Sequence, residues 1–217
     1  GTWLGLNRSG RFAALTNYRE ITKGTPPSQP SRGALPVNAL ITTEKSLDHL
    51  HTLASSAGDY SGFNLISGTA KALYYYSNRR SKPPEQLSAG YYSLSNGLLG
   101  SPWPKVETSR TLLQGIVEQD KQLTDSVGAQ ALAEQLQSLM RNKQLANQNT
   151  LPNTGVPTAL EHQLSSLFIE HPELPSYGTR ATTIVLIDHS QHAHFFEYSF
   201  NETGELTAKV YEHWPTN

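Results

Sequence analysis

The strongest constraint on the fold is the opening segment, GTWLGLNRSGRFAALTNYRE, which has the pattern of a complete β-hairpin. Short apolar runs flank Asn7-Arg8-Ser9-Gly10, and a turn of this composition between such runs is typical of a hairpin. Two strands alone are only marginally stable, so we expect a further strand or a covering layer against them. No Met and no strand precede the hairpin, and we therefore expect the natural protein to carry a segment before Gly1.

Length, charge and cysteine content narrow the class of protein. The 217 residues suffice for one good-sized domain with its own core. The formal net charge is -1 and the basic residues are scattered, which argues against nucleic acid or an anionic membrane as an obligate partner. No apolar run is long enough to span a bilayer, so we expect a soluble protein without an integral membrane segment. Cysteine is absent, which excludes disulfides, thiolate metal sites and a cysteine nucleophile within this sequence and fits a cytoplasmic location.

The order of predicted elements indicates the fold class. After the hairpin, a polar Pro-rich loop covers 22–30, and Thr42 or Thr43 is predicted to cap a helix that ends near Gly58. Further strands are predicted at 62–66, 72–76, 90–94, 182–187, 194–200 and 206–211, and further helices near 31–35 and over 109–123, 126–145 and 160–168. This order lacks the strict alternation of a parallel fold and predicts a layered α+β protein with antiparallel sheets.

Three polar clusters stand at strand ends and are candidates for a functional site. They are Thr16-Asn17-Tyr18-Arg19, Ser95-Asn96-Gly97 and Tyr177-Gly178-Thr179-Arg180. An asparagine amide just past a strand can donate into a pocket, as an oxyanion site requires, and an arginine before a buried strand can orient a nucleophile or pair with a carboxylate. Alternatively, Asn17 and Asn96 complete turns and Arg180 pairs with a structural acid. Both interpretations stay open on spacing alone.

The histidine and aromatic residues have simpler explanations than ligand binding. His189, His192 and His194 fall between two predicted strands, so we expect a solvated polar turn and no metal site. The tyrosines at 74–76 and 91–92 could line a pocket, although strand packing explains them more simply because tyrosine favours sheets. Trp103, between Pro102 and Pro104, is typical of a rigid docked turn.

A set of motifs resembles a known family. GTWLG…GRFAALTNYRE, SRG, GFNL, SLSNGLLGSPWPKV, LPNTGV and YGTRATTIVLID run in this order over nearly the whole chain and resemble the NRDE family, the bacterial and eukaryotic group related to Transport and Golgi Organisation proteins. Family members usually begin Met-Cys and carry an Asn-Arg-Asp-Glu motif before the GTWLG stretch. The resemblance thus implies one NRDE-family domain over residues 1–217, lacking that N-terminal segment.

The resemblance also implies a fold and a set of site residues. The family is similar to N-terminal nucleophile (Ntn) hydrolases, in which two antiparallel sheets lie between helix layers as a four-layer αββα sandwich. By motif similarity, Asn17 and Asn96 correspond to oxyanion-hole asparagines and Arg180 to the late arginine near the nucleophile. The matched motifs add further candidate ligand contacts: Tyr18, Arg19, Asn64, Ser95 and Trp103.

Two functions follow from the resemblance. The first is binding of a small hydrophobic ligand, in haem trafficking or in acyl-CoA or lipid handling, with no required cofactor and haem as a possible cargo. The second is hydrolysis of a linear C–N amide bond by an N-terminal cysteine that this sequence lacks, with the cysteine's own α-amine as base. A scaffold with a vestigial pocket is a third alternative.

Overall fold

The computed structural model describes residues 2–20, 29–119, 126–170 and 177–216. The chain divides into two compact units, unit 1 (Gly1–Ser101) and unit 2 (Pro102–Thr216). Each unit holds one antiparallel sheet and its own helices, which confirms the predicted α+β class with layered antiparallel sheets. The Ntn-hydrolase detail and the single NRDE-family domain stay predictions.

Unit 1 is organised around a five-stranded sheet in the order β1-β2-β3-β4-β5. The strands are β1 (Leu4–Leu6), β2 (Phe12–Asn17), β3 (Phe63–Thr69), β4 (Ala72–Ser77) and β5 (Glu85–Gln86). The opening hairpin is confirmed, with Leu4 opposite Ala14. Gly10 closes its turn at a φ of 76°, a conformation that glycine adopts without steric cost. Strand β3 pairs along all of β2 and provides the additional strand that the hairpin requires.

The helices of unit 1 are α1 (Ala34–Ile41) and α2 (Ser46–Ala54), followed by a single 3₁₀ turn at Ala57–Asp59. Helix α2 begins later than predicted, because Lys45 occupies its N-cap and the Thr42 hydroxyl instead accepts a hydrogen bond from the Glu44 amide. The apolar face of α2 packs with the sheet in one core. This core contains Leu15, Leu35, Leu50, Leu53, Ala57, Phe63, Leu65 and Tyr76.

The predicted strand at 90–94 is wrong. These residues have irregular structure, and only the two residues of β5 pair with β4. The next segment, Ser95–Gly97, instead meets the ends of β2 and β3, where Ser95 and Gly97 accept side-chain hydrogen bonds. The backbone carbonyls of this segment are therefore hydrogen-bonded at the strand ends and not along a sheet edge.

Unit 2 contains a three-stranded sheet in the order β6-β7-β8. Its strands are β6 (Ala181–Ile187), β7 (His192–Phe200) and β8 (Leu206–Pro215), and its helices are α3 (Pro104–Gln119), α4 (Ser126–Met140) and α5 (Thr158–Gln163). Ala129 and Ala133, one helical turn apart on α4, let that helix approach the sheet closely. Their core partners are Phe168, Ile184, Phe196, Tyr198 and Phe200. The three strands confirm the predicted antiparallel end of the chain.

Several element boundaries differ from the sequence prediction. Helix α5 ends at Gln163, so Leu167 and Phe168 follow the helix and do not belong to it. Most of the predicted loop at 22–30 and the end of the helix predicted over 109–123 lie outside the described residues. Within the described ranges, no helix combines the length and the apolar character needed to cross a membrane.

Candidate functional site

The end of β2 is joined to the loop Ser95–Gly97 by three hydrogen bonds. The Thr16 hydroxyl donates to the Ser95 carbonyl at 2.8 Å, the Arg19 amide donates to the Asn96 carbonyl at 2.6 Å, and Asn96 Nδ2 donates to the Asn17 carbonyl at 3.0 Å. The structure thus brings together Asn17 and Asn96, the two asparagines that the sequence singles out. We call this place, where β2 ends beside the start of β3, the strand-end site.

Asn64 braces the strand-end site from beneath. Its side chain is fully buried, and Nδ2 donates to the Thr16 hydroxyl at 3.0 Å and to the Gly97 carbonyl at 2.8 Å. Its Oδ1 accepts from the Tyr75 hydroxyl at 2.7 Å, and that hydroxyl in turn accepts from the Leu99 amide at 3.1 Å. Both amide hydrogens and the oxygen of Asn64 are engaged inside the protein, so Asn64 holds the loop in place. Its predicted role as a ligand contact stays a prediction.

Tyr75 belongs to this network, although the sequence alone did not select it. Burial raises the pKa of its phenol, so the hydroxyl stays protonated at neutral pH and can donate to Asn64. The only sequence signal was its central position among the three tyrosines 74–76. Alternation along β4 places Tyr75 on the face opposite to that of its two neighbours.

Asn17 is the least satisfied group of the strand-end site. Its Oδ1 is shielded from solvent and has no hydrogen-bond partner among the described residues. No described group accepts from its Nδ2 either. Because buried polar atoms are normally paired, such a carboxamide has one acceptor and two donor hydrogens available to a molecule bound beside it.

A charged group lies next to Asn17, around Gly62. The Tyr18 amide and the Arg32 guanidinium both donate to the Gly62 carbonyl, at 2.9 and 2.7 Å. Glu20 accepts two hydrogen bonds from Arg79, at 2.6 and 2.7 Å, and these bonds hold the pKa of Glu20 below its usual range. Two guanidinium groups thus accompany one carboxylate, which leaves a surplus of positive charge beside the strand-end site.

Arg180 and Trp103 both lie in unit 2. Arg180 directly precedes β6, its carbonyl accepts from the Phe200 amide at 2.9 Å, and its exposed guanidinium makes no hydrogen bond or ion pair with a described residue. Trp103 directly precedes α3, and its carbonyl accepts from the amides of Val106 and Glu107 at 2.9 and 3.0 Å. Their predicted functional roles stay predictions.

The histidine segment agrees with the predicted solvated turn at His189, which is exposed in the turn between β6 and β7, and differs from it at the other two histidines. His192 and His194 lie in β7, and His194 is only 3% exposed. Its Nδ1 lies 3.0 Å from the Tyr211 hydroxyl, and its Nε2 lies 3.5 Å from Asp188 Oδ2. Asp188 also accepts from the His192 amide at 2.8 Å, which closes a tight turn and lets β7 begin early. In the described ranges, no three His, Asp or Glu side chains are arranged to hold a metal ion.

Comparison with known proteins assigns the chain to a family. The family model for Transport and Golgi organisation 2 matches residues 1–202. The chain belongs to this family. It is 33% identical over 225 residues to the human Transport and Golgi organization protein 2 homolog, with all of this chain and 76% of that protein covered.

Two more relatives support this assignment to the Transport and Golgi organisation 2 family. The mouse Transport and Golgi organization 2 homolog is 31% identical over 223 residues, covering 98% of this chain and 77% of that protein. The Drosophila melanogaster Transport and Golgi organization protein 2 is 28% identical over 207 residues, covering 91% of this chain and 71% of that protein. The family resemblance drawn from the sequence motifs is thereby confirmed.

Unit 2 of this Transport and Golgi organisation 2 family member also contains a surface cleft of about 180 Å³. The first turn of α3 forms one side of it, and residues 142–147, after α4, form the other. No sequence motif predicts this cleft, because its described lining comes from three separate segments.

Proposed function

We propose that this protein binds a small, largely apolar molecule with polar anchors, haem or an acyl-CoA, at the strand-end site and acts as its carrier. The observation that supports the proposal most directly is the carboxamide of Asn17, whose Oδ1 is buried and unpartnered among the described residues. A ligand that donates one hydrogen bond to this oxygen would remove the cost of leaving it unsatisfied.

The chemistry around Asn17 suits both ligands. A carboxamide can donate to a carboxylate or a thioester carbonyl and can accept from an amide N–H, so it complements the haem propionates and the pantetheine amides of an acyl-CoA. The positive surplus from Arg32 and Arg79 against Glu20 favours the negative charge that both molecules carry. Tyr18 and Arg19, which follow Asn17 directly, are further candidate contacts.

A carrier is favoured over a catalyst by two observations. One of the two amide hydrogens of Asn96, the second predicted oxyanion donor, already binds the Asn17 carbonyl. The 217 residues contain no cysteine, so a thiol nucleophile would have to come from outside this sequence. We place this carrier in the cytoplasm, which fractionation of cells expressing it would test.

An amidohydrolase is the alternative, and one observation favours it. Asn17 Nδ2 has no acceptor among the described residues and lies just where β2 ends, as an oxyanion-hole donor would. In that case Asn17 would stabilise the negative oxygen of a tetrahedral intermediate and the nucleophile would lie elsewhere.

Ligand titration tests the proposal. Haem, followed by its Soret band, and palmitoyl-CoA, followed by calorimetry, are each added to the purified chain and to Asn17→Ala. We expect saturable binding of at least one probe and about tenfold weaker binding by Asn17→Ala, because one buried hydrogen bond is lost. Asn38→Ala is the matched control, since Asn38 is exposed on α1 and should leave binding unchanged.

Two outcomes would overturn the proposed carrier function. One is the absence of saturable binding of either probe, and the other is equal affinity of Asn17→Ala and the parent protein, with thermal melts showing that both are folded. If the parent protein hydrolyses an acyl-amide substrate and Asn17→Ala does not, the amidohydrolase function would be supported in place of the carrier function.

A further inference from the structure

Arg32 is held beside Asn17 by a main-chain oxygen. Its Nη1 donates to the Gly62 carbonyl at 2.7 Å, and the Tyr18 amide donates to the same oxygen at 2.9 Å. Gly62 directly precedes Phe63, the residue that lies opposite Asn17 in the pairing of β2 and β3. The guanidinium group is thus fixed at the strand-end site, on the residue next to the cross-strand partner of Asn17.

Arg32 and the Asn17 side chain lie on the same side of the sheet. Directly opposite residues of antiparallel strands place their side chains on one face, so Asn17 shares the face of Phe63. Phe63 packs in the core with Leu35 of α1, which covers that face. Arg32 leads into α1, and its carbonyl accepts from the Leu35 amide at 3.0 Å. A molecule bound at the Asn17 carboxamide therefore lies on the same side of the sheet as the guanidinium group.

The contact with Gly62 orients the guanidinium group without neutralising its charge. The Gly62 carbonyl is a neutral acceptor, and it engages Nη1. Among the described residues, Nε and Nη2 of Arg32 have no hydrogen-bond acceptor. These two nitrogens form an edge of the guanidinium plane that can bind both oxygens of a carboxylate or a phosphate. Arg32 therefore presents an oriented edge to an anionic group.

The Glu20 carboxylate is engaged by a different arginine. Nε and Nη2 of Arg79 donate to Glu20 at 2.7 and 2.6 Å, and the Gly62 amide donates to it at 3.1 Å. Nη1 of Arg79 donates to the Asn78 carbonyl at 3.3 Å, so all three nitrogens of Arg79 have partners. Glu20 is thus bound edge-on by Arg79, which leaves the corresponding edge of Arg32 to a ligand.

Partial burial strengthens the attraction of Arg32 for an anion. Burial lowers the pKa of the Arg32 guanidinium, which still carries its charge at neutral pH because arginine titrates far above that range. A charged hydrogen bond is stronger where water is partly excluded. An anionic group therefore gains more from Arg32 than from an arginine on the open surface.

We infer that Arg32 binds the anionic group of the ligand, a carboxylate or a phosphate, while Asn17 bonds to a neighbouring polar group of the same molecule. The inference rests on the carrier function proposed above and adds the residue that selects ligands for their charge. The motifs in the sequence contain Arg32 without marking it as a site residue, because its place beside Asn17 depends on the Gly62 carbonyl.

The test compares each probe with an analogue that lacks its anionic groups. Haem is compared with haem dimethyl ester, and palmitoyl-CoA with palmitoyl-pantetheine, by titration of the whole purified chain. We expect the parent protein to bind the charged member of at least one pair about tenfold more tightly, because the uncharged analogue lacks the charge-assisted hydrogen bond. The pair that shows this difference tells whether a carboxylate or a phosphate is recognised.

Three variants assign the effect to Arg32. Arg32→Gln retains a donor for the Gly62 carbonyl and should weaken only the charged probe, by about tenfold or more. Arg32→Lys keeps the charge without the two-nitrogen edge and should give an intermediate affinity. Arg110→Gln, the matched control, makes the same change of charge at an exposed position of α3 and should leave all affinities unchanged. Thermal melts show that each variant is folded.

The outcomes separate this inference from the carrier proposal. Equal affinity of the parent for both members of each pair, with binding still weakened in Asn17→Ala, would overturn the role of Arg32 alone. Equal weakening of both members in Arg32→Gln would show a structural role and would also overturn it. Weakening of the charged probe in Arg32→Gln but not in Asn17→Ala would support Arg32 and overturn the role of Asn17. Absence of binding of every probe would overturn both.

Discussion

Asn96 donates from its side chain to the main-chain carbonyl of Asn17, a residue 79 positions earlier in the sequence. The Arg19 amide donates back to the Asn96 carbonyl, so the loop and the strand end are joined by bonds in both directions. The two asparagines that the sequence selects together therefore differ in how many side-chain hydrogen-bond donors and acceptors remain available. Asn96 uses one of its two amide hydrogens to hold the loop, whereas the Asn17 carboxamide has no partner among the described residues.

Removal of the Tyr75 hydroxyl should destabilise unit 1. In Tyr75→Phe, the buried Asn64 Oδ1 loses its donor and the Leu99 amide loses its acceptor. We expect the free energy of unfolding to fall by about 1–3 kcal/mol, because buried polar atoms are left unsatisfied. Urea denaturation followed by circular dichroism measures the change.

Tyr92→Phe is the control for Tyr75→Phe. Tyr92 is 40% exposed, and its hydroxyl donates to the Ser88 carbonyl in an exposed position. Water can replace that bond, so we expect a change within about 0.5 kcal/mol. Equal losses in the two variants would contradict the bracing role given to Tyr75.

Glu20 should make stability depend on pH. The hydrogen bonds from Arg79 hold the pKa of Glu20 below its usual range in the folded protein. A depressed carboxyl pKa stabilises the fold above the unfolded pKa of about 4.3, and this contribution is lost as pH falls through the folded pKa. Glu20→Gln should therefore be less stable than the parent by about 1 kcal/mol at pH 7, and the difference should shrink below about pH 4.3.

Denaturation at a series of pH values measures the Glu20 effect. Glu202→Gln is the control, because Glu202 is exposed in the turn between β7 and β8 and should leave the stability curve unchanged. A difference between Glu20→Gln and the parent that stays constant from neutral to acidic pH would show that the ion pair with Arg79 does not contribute.

Gly68 should tolerate no side chain. A Cβ at this position would lie 2.0 Å from the Ala72 carbonyl oxygen and 2.9 Å from Leu73 Cα, both backbone atoms of the next strand. We expect Gly68→Ala to lower the free energy of unfolding by more than about 3 kcal/mol, because β3 and β4 would have to separate locally. Thermal unfolding of the purified variant measures the loss.

Gly58→Ala is the matched control, since a Cβ there would meet no atom within 4 Å. This substitution should be neutral or stabilise the protein by up to about 1 kcal/mol, because alanine lowers the conformational entropy of the unfolded chain. A Gly68→Ala protein as stable as Gly58→Ala would mean that the two strands can move apart without cost.

The parts of the fold that sequence predicts best are those fixed by local patterns. The opening hairpin depends on an Asn/Ser/Gly turn between apolar runs, and β6 depends on a continuous apolar run, so both were identified near their true bounds. Residues 90–94 have equally strand-like composition, but no partner strand accepts them. The residues that directly follow them are held by hydrogen bonds from Thr16 to the Ser95 carbonyl and from Asn64 to the Gly97 carbonyl, across 79 and 33 positions of sequence.

In the candidate site, too, features that depend on contacts between distant residues could not be predicted from the sequence. Motif resemblance selected Asn17 and Asn96, but nothing in the motifs indicates which amide is already engaged. Burial of His194 depends on Asp188 and Tyr211, whose proximity arises from the register of three strands. The cleft at Lys105 depends on three segments whose meeting no local pattern encodes.

The long sequence separation between Asn17 and Asn96 also has a consequence for folding during protein synthesis. A chain that has left the ribosome only as far as β4 contains Asn17 and Asn64 but not the loop that they hold. Contacts of such large sequence separation form late, after the loop-closure entropy has been overcome. The strand-end site of a nascent chain therefore stays incomplete until at least residue 97 has emerged, and the ligand binding proposed for this site would require that part of unit 1 to be synthesised first.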